Sequence, residues 1–242
     1  MRVFIGMETS GALRHRFSDL GHDVRSADLL PSEDDGRGHI VGDVFDVLDR
    51  MHDEGWWPDL AIFHPTCTYL TNSAAWAFND PDFERYPGVG YHQRVKPGTL
   101  VGQARRLARA LALEDVRRII ALPIKRKAIE NPIGAISGWI RKPDQIVQPY
   151  DFGDDASKAT CLWLDGLMPL RPTCRVLGRM VPRQLAIGKS DREAGCTGPE
   201  FIERWSNQTD TGQNRLSPGD DRWKERSRTF PGIAQAMASQ WG

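Results

Sequence analysis

Short apolar runs alternate with stretches of helical spacing along the first third of the chain. Residues 2–6 form an apolar run that predicts a buried strand, and residues 12–20 have the spacing of a helix that ends before Gly21. Further strands are predicted at residues 23–27 and 40–44. This order of strand, glycine-bearing turn, helix and strand favours an α/β protein with a doubly wound, mostly parallel sheet.

The central part of the chain adds a strand, a long loop and a helix. Residues 59–63 predict a strand that ends in a Pro-centred turn. Residues 74–99 are rich in aromatic residues, Pro and Gly without periodicity, which is typical of an ordered lid. Residues 103–118 predict an amphipathic helix with its arginines outward and, facing inward, Leu107, Ala110, Leu111 and Leu113.

The rest of the chain continues the alternation of strands and helices, except for one stretch without a regular pattern. Strands are predicted at residues 128–132 and 146–150, and residues 159–164 predict one arm of a hairpin. A terminal helix is expected at residues 233–241, and the Pro-Gly that precedes it favours docking back on the sheet. Between them, residues 168–218 are rich in Arg, Pro, Gly and Asn, which predicts a small insertion with little core.

Length and composition fit one main domain with a small appendage. The chain has 242 residues, of which 40% are hydrophobic. We assign the main domain to residues 1–167 and 219–242 and the insertion to residues 168–218. A membrane span needs about 18 apolar residues in a row, and the sequence has no such run and no signal-peptide pattern. We therefore expect a cytoplasmic protein that has no membrane partner.

Cysteine and charge patterns narrow the function. The four cysteines are far apart and form no C-x-x-C pair, so neither a structural zinc site nor a disulfide framework is expected, and no metal is predicted. Basic and acidic residues both number 32, which argues against non-specific coating of nucleic acid. Basic residues are concentrated in residues 102–128 and in the last third. They could face a phosphate-bearing partner or form solvated helix faces.

A thiol and a carboxyl follow predicted strand ends. Cys67 comes just after the turn that ends strand 59–63, where ligands bind in doubly wound sheets, although free cysteine is often a buried structural residue. Glu130 and Asn131 lie at the tip of strand 128–132. If the two strands are neighbours, Cys67 and Glu130 share a site. Cys161 lies within a strand and is interpreted as structural.

The first turn and the next two strand ends have the features of a nucleotide site. A glycine-bearing turn leads from the first strand into a helix, which suits a polar or anionic ligand group. Asp28 follows the second strand and could bind the two hydroxyls of a ribose. Asp43 follows the next strand and could accept from an adenine amine, although Asp is also a common helix N-cap.

With these pieces in order, the chain resembles the DNA cytosine-5 methyltransferases over residues 2–70, 115–165 and 225–242. The more immediate similarity is to small phage-borne methyltransferase-like proteins. The motifs that carry the resemblance are the opening turn with Asp28, Gly42-Asp43-Val44, His64-Pro65-Thr66-Cys67, Glu130-Asn131-Pro132, Phe152-Gly153 with Lys158, and the segment from Arg226 to Ala238. Thr66 stands in place of a family proline, and Lys158 in place of an arginine, which loses the bidentate fork.

The resemblance implies a doubly wound, mostly parallel sheet of the S-adenosylmethionine-dependent methyltransferase type and transfer of a methyl group to cytosine C5 in DNA. The catalytic residues it implies are Cys67, Glu130 and Lys158. The implied S-adenosyl-L-methionine site consists of Gly6, Glu8, Thr9, Ser10, Gly11, Asp28, Leu29, Asp43, Val44 and Pro65. The implied substrate-binding residues are Asn131, Thr68, Tyr69, Arg226 and Arg228.

The chemistry sets further expectations and leaves alternatives. The Cys67 thiolate adds to C6, so basic groups or helix-end amides should lower its pKa, and burial should raise the pKa of Glu130. A base in duplex DNA must leave the stack, and the 74–99 lid could fill the space. The substrate could instead be a pyrimidine nucleotide or modified base, or the chain could be a non-catalytic phage binding protein. If the protein is phage-encoded, we expect it in the host cytoplasm.

Overall fold

A seven-stranded sheet forms the centre of the molecule. The computed structural model describes residues 1–187, 198–216 and 222–242. The sheet has the strand order β3-β2-β1-β4-β5-β7-β6, in which β7 is antiparallel to both neighbours and the other pairs are parallel. The strands are β1 Arg2–Gly6, β2 Asp23–Asp28, β3 His39–Val41, β4 Leu60–Phe63, β5 Lys127–Pro132, β6 Gln145–Val147 and β7 Thr160–Asp165. The predicted α/β class with a mostly parallel sheet is confirmed.

Helices cover both faces of the sheet. Alternate β1 residues point to opposite faces because a strand has a side-chain period of two. Val3 and Ile5 belong to a core with α1 and α8, and Phe4 belongs to a core with α2, α4 and α5. The helices in the described residues are α1 Ala12–Asp19, α2 Val44–Asp53, α3 Cys67–Leu70, α4 Gly102–Ala121, α5 Ile136–Trp139, α6 Arg183–Ala186, α7 Arg222–Ser227 and α8 Pro231–Trp241.

The last helix, α8, packs closely against the main domain, as the sequence predicted. Ile233, Met237 and Trp241 are buried, and the Trp241 indole Nε1 donates to the Met168 carbonyl at 2.9 Å. A Cβ atom on Gly232 would lie 1.9 Å from the Phe152 carbonyl oxygen. Only glycine therefore lets the start of α8 approach this close.

Helix α4 lies at the predicted position but presents a different face. The prediction placed Leu107, Ala110 and Leu111 inward, and all three are exposed, with Leu107 and Leu111 each 61% exposed. The inward prediction is correct for Leu113. Arg105, predicted to face solvent, is only 5% exposed. The reason is that two arginines of α4 are used inside the molecule, as described below.

The long loop and the insertion have only short regular elements. Within residues 74–99 the regular structure is the 3₁₀ turn Ala75–Phe78, and the Trp76 and Tyr91 rings lie 5.3 Å apart, edge to face. The insertion has an antiparallel pair, β8 Arg179–Pro182 and β9 Phe201–Arg204. Trp205 stacks on Tyr150 with the ring centroids 3.9 Å apart, which docks this pair on the main domain. The insertion's predicted limits, residues 168–218, include residues 188–197, 217 and 218, which lie outside the described part.

Among the residues that the structure describes, none of the helices combines the length and the apolar character needed to cross a bilayer.

We predict that Gly232→Ala destabilises the protein, because the added methyl group meets the Phe152 carbonyl and forces α8 away. The expected loss is about 1–3 kcal/mol, the usual cost of overpacking. Gly138→Ala is the matched control, because a Cβ atom there meets nothing within 4 Å. Equal free energies of unfolding in urea for Gly232→Ala and wild type would contradict the prediction.

Candidate active site

The site is built on two adjacent parallel strands. Phe63 of β4 pairs with Ile129 of β5, so His64 and Glu130 follow at the same edge of the sheet. The His64 backbone N–H donates to the Gly6 carbonyl at 2.9 Å, which continues the pairing of β4 with β1. The strand of Glu130 is therefore the neighbour of the strand that leads to Cys67.

The turn from β4 to α3 is tied to β5. The Asn131 side-chain Nδ2 donates to the Pro65 carbonyl at 2.6 Å, and both residues are buried. Beyond α3, the Ala135 N–H donates to the Leu70 carbonyl at 2.6 Å. A Cβ atom on Gly134 would lie 1.9 Å from the same oxygen. These contacts fix Cys67, the first residue of α3, relative to Glu130.

Two arginines of α4 hold the other side of α3. Arg105 Nη2 donates to the Thr68 carbonyl at 3.0 Å, and Arg109 Nε donates to the Tyr69 carbonyl at 2.8 Å. Both guanidinium groups also lie over the Phe78 ring, at 4.8 and 3.4 Å from its centroid. A four-residue helix leaves most of its carbonyls without intrahelical partners, and these arginines bond two of them.

Glu130 is buried and hydrogen-bonded. His64 Nδ1 lies 3.2 Å from Glu130 Oε2, and both side chains are below one-tenth exposed. Burial alone raises the pKa of this carboxyl, but the hydrogen bond from His64 and the positive charge of Lys158 outweigh burial and lower the pKa below 4.5. The expectation of a raised pKa was wrong, because it counted burial without these partners. Glu130 is a carboxylate at neutral pH.

Cys67 is partly buried between opposing charges. Burial raises the pKa of its thiol, Glu130 raises it further, and Lys158 and Arg226 oppose both effects. The net direction is upward, so the expected lowering was wrong for the free protein. The physical reason is that desolvation of the sulfur outweighs the attraction of the two cations.

The three basic residues predicted at the site differ in position. Lys158 Nζ donates to the Arg228 carbonyl at 3.3 Å, and its charge acts on both Cys67 and Glu130. The charge of Arg226 lowers the pKa of the Cys67 thiol, and Arg226 Nη2 lies 3.4 Å from the Ser73 hydroxyl oxygen. The Arg228 side chain instead binds Glu33 Oε2 at 2.5 Å.

Of the other predicted substrate residues, Thr68 is exposed and Tyr69 is partly buried.

The first turn is closely packed around a buried carboxylate. Glu8 is 7% exposed, accepts from the Ser10 hydroxyl through Oε1, and accepts from the Gly11 N–H at 3.2 Å through Oε2. Thr9 Oγ1 donates to Glu33 at 3.1 Å. A Cβ atom on Gly6 would lie 2.6 Å from the Phe63 ring and 2.9 Å from the Val44 side chain. Gly6 and Val44 therefore shape the packing at this strand end.

Asp28 and Asp43 lie at the carboxyl ends of neighbouring strands. The Gly42 N–H donates to the Asp28 carbonyl at 2.9 Å. Asp28 Oδ1 accepts from the Leu30 N–H at 2.8 Å, and burial raises the pKa of this carboxyl. Asp43 Oδ1 accepts from the Phe45 N–H at 2.9 Å, so Asp43 caps α2, as its alternative interpretation proposed. Leu29 is 71% exposed beside Asp28.

A cleft of about 460 Å³ opens at the start of α1. Thr229 lines it, and its Oγ1 atom is buried without a hydrogen-bond partner among the described residues. Glu33 and Arg228, which form an ion pair, both line the same wall of the cleft. The residues that line the cleft are Ser10, Ala12, Glu33, Glu225, Arg228, Thr229, Phe230 and Pro231.

The sequence interpretation missed four residues that organise this site. They are His64, Arg105, Arg109 and Glu33. His64 had a visible signal, because it directly follows β4 and belongs to the same turn as Cys67. Arg105 and Arg109 had the spacing of an exposed basic helix face, and Glu33 lay in a polar loop, so neither pattern indicated an inward contact.

No protein-family model matches the chain, and no curated protein matches it. The chemistry of the site must therefore be inferred from its own groups. A thiol and a carboxylate lie at one sheet edge, and the charge of the Lys158 ammonium group lowers the pKa of both. This set suits addition of sulfur to an electron-poor ring whose nitrogen is bonded by the carboxylate.

We predict that Glu130 makes the protein more sensitive to acid. A carboxyl whose folded-state pKa is below 4.5 stabilises the fold above that value, and the stabilisation is lost as the pH falls below 4.5. Glu130→Gln should therefore lose less free energy of unfolding than wild type between pH 6 and pH 3.5. Glu114→Gln, at an exposed position on α4, controls for removal of one negative charge. Parallel curves for Glu130→Gln and wild type would refute this.

We also predict that the Cys67 thiol is poorly reactive in the free protein. Iodoacetamide at neutral pH should modify exposed Cys174 faster than Cys67, because burial raises the Cys67 pKa. Lys158→Gln should slow Cys67 further, since it removes a charge that lowers this pKa, and Lys142→Gln is the control on an exposed lysine. Peptide mass spectrometry gives both rates. Faster labelling of Cys67 than of Cys174 would contradict the predicted order.

Proposed function

We propose that the protein transfers a methyl group from S-adenosyl-L-methionine to C5 of cytosine in DNA through a covalent adduct between Cys67 and C6. One observation carries the proposal. Cys67 follows β4 and Glu130 lies near the end of the adjacent parallel strand β5, and Lys158 is near enough to change the pKa of both. A binding module would need neither a thiol nor a buried carboxylate at this edge.

The topology of the sheet supports the proposal. Its order differs from the dinucleotide-binding order 3-2-1-4-5-6 because β7 is inserted, antiparallel, between β5 and β6. A sheet of this order is compatible with the methyltransferase type that the sequence resembles. In such sheets, ligands bind outside the carboxyl ends of the strands, where Cys67, Glu130 and Asp28 lie.

The cofactor chemistry fits the residues around the first turn. Asp28 Oδ1 accepts one backbone N–H, and its other carboxylate oxygen would bind the ribose hydroxyls. The exposed Leu29 side chain would pack on the adenine, and Thr229 Oγ1 with Ser10 would bond the polar end of the cofactor in the cleft. When bound, the cofactor supplies the methyl group to C5. Asp43 caps α2 through its carboxylate oxygen Oδ1.

Glu130 and Cys67 have complementary tasks. The Glu130 carboxylate accepts a hydrogen bond from the N4 amine and thereby fixes the cytosine. The Cys67 sulfur adds to C6, which gives C5 the electron density of an enamine. Since burial raises the pKa of the thiol, ionisation depends on Lys158 and Arg226, whose attraction for the thiolate strengthens when a substrate excludes water.

Access to a base in DNA requires rearrangement of the DNA. C6 cannot meet the sulfur inside the stack, so the base must be extruded or already single-stranded. Arg226, which is exposed near Cys67, would contact a phosphate beside the extruded nucleotide. The 74–99 segment follows α3 directly, and its aromatic cluster of Trp76, Tyr91 and His92 would fill the vacated space.

The direct test is covalent trapping on DNA that contains 5-fluorocytosine, whose C5 fluorine prevents release of the enzyme. With S-adenosyl-L-methionine, wild type should give a band of lower mobility in a denaturing gel. Cys67→Ser should give none, because an alcohol at this position is not ionised by Lys158. Cys161→Ser, which changes a buried strand cysteine, is the control for loss of any thiol. Equal bands for wild type and Cys67→Ser would eliminate the assignment of the nucleophile.

A second substrate class is favoured by two observations. The chain has no net charge, and the described residues of the insertion offer the short pair β8 and β9 for reading DNA. The same chemistry on a free pyrimidine nucleotide or a modified base would need neither. Transfer of labelled methyl to deoxycytidine monophosphate, compared with transfer to DNA, distinguishes the two. Binding of either ligand without transfer would favour a non-catalytic binding protein.

A further inference from the structure

The proposed addition requires a proton that the free protein does not keep on Glu130. When sulfur adds to C6, electron density moves through C5 and C4 to N3, which must be protonated. The carboxyl of Glu130 has a lowered pKa, because the bond from His64 and the charge of Lys158 outweigh its burial. At neutral pH it therefore arrives at the substrate as a carboxylate. Another group must supply the proton.

His64 has the geometry to do so. Its Nδ1 lies 3.2 Å from Glu130 Oε2, and the two side chains are 8% and 9% exposed. The backbone of His64 is fixed by its hydrogen bond to the Gly6 carbonyl. Its Nε2 is buried and has no hydrogen-bond partner among the described residues. The ring is therefore held against Glu130 at one nitrogen only.

Of the groups around Glu130, His64 is the one suited to supply this proton. Lys158, from the segment before β7, acts on Glu130 through its charge, while its Nζ donates to the Arg228 carbonyl. The Thr160 hydroxyl of β7 donates to the Lys158 carbonyl at 3.1 Å, and a hydroxyl is not an acid in this range. The charge of Glu130 raises the pKa of Cys161 in β7 and of Cys67 in α3, and the charge of Arg226 in α7 lowers the pKa of Cys67. Within the described residues, His64 is the imidazole bonded to Glu130.

We propose that His64 supplies the N3 proton through Glu130. The sulfur lone pair forms the S–C6 bond, the C5–C6 π pair moves between C5 and C4, and the C4–N3 π pair comes to rest on N3. The proton passes from His64 Nδ1 to Glu130 Oε2, and Glu130 presents it to N3. His64 acts through Glu130 and does not touch the reacting atoms, so it is a positioning residue.

The proton returns by the same path. In the methyl transfer, the C4–C5 π pair would form the bond from C5 to the methyl group that the cofactor supplies, and the pair of the broken bond would stay on the cofactor sulfur. The N3 pair returns to the C4–N3 bond, and the N3 proton moves through Glu130 to His64. The C5 proton then leaves to water, its electron pair forms the C5–C6 bond, and the S–C6 pair leaves with Cys67. Cys67 enters and leaves as the thiolate, so the methyl transfer releases one proton, from C5, to water. This inference rests on the proposed function, since it concerns the same adduct.

His64→Asn separates proton supply from hydrogen bonding. An asparagine amide can donate to Glu130 Oε2 but cannot release a proton at neutral pH. Trapping on 5-fluorocytosine DNA should slow about 100-fold, the lower range of a general-acid contribution. On 5-azacytosine DNA, whose ring is more electron-poor and needs less acid help, the loss should be below about 10-fold. His52→Asn, an exposed histidine on α2, should trap like wild type on both.

Each outcome decides one claim. Similar losses on the two DNAs would mean that His64 is only structural, and wild-type rates for His64→Asn would overturn the relay. Failure of wild-type protein to trap either DNA, while it binds them, would remove the proposed function. That result would also overturn the relay, which concerns the same adduct. If His64→Asn does not fold, His64→Gln, whose amide can also donate to Glu130 Oε2, replaces it in the same two trapping experiments.

Discussion

A buried carboxylate is the constraint on which the organisation of this edge of the sheet depends. Ionised carboxylates are costly to bury unless they are paired and hydrogen-bonded, and Glu130 is both. Its partners come from different parts of the chain: His64 from the end of β4, and Lys158 from the segment before β7. Lys158 in turn contacts the backbone at Arg228. The need to compensate one charge therefore brings three segments to the place where Cys67 lies.

The short helix that carries Cys67 depends on a second set of contacts. Four residues cannot form a stable helix alone, and most of their carbonyls need outside partners. Arg105 and Arg109 supply two donors, and the Ala135 N–H supplies a third. Because these arginines turn inward, Leu107 and Leu111 turn outward. The register of α4 is thus set by hydrogen bonding at the site as well as by burial of apolar side chains.

Sequence pattern located the strands but not all of their ends. The limits of β1 were predicted to the residue. The predicted strands 40–44 and 146–150 end earlier, at Val41 and Val147, because Asp43 caps α2 and Pro149–Asp151 forms a 3₁₀ turn. The prediction that Cys67 and Glu130 lie at neighbouring strand ends needed only the logic of a parallel sheet. The directions of their pKa shifts could not be predicted, because each is a difference between burial and charges whose distances are tertiary. The two interpretations of Asp43, as a helix N-cap or as the acceptor of an adenine amine, also differed only in which N–H groups donate to its carboxylate. Helical periodicity failed for α4, since it cannot tell an arginine bonded to carbonyls from one in water.

The ion pair between Glu33 and Arg228 joins positions 195 residues apart and closes the cleft beside the first turn. The first three strands and Glu33 leave the ribosome long before Thr229 and Phe230 do. The cleft therefore lacks one wall until residues 228–231 have been synthesised. Completion of the cleft is in this way coupled to translation through residue 231, and an emerging polypeptide has only part of its lining.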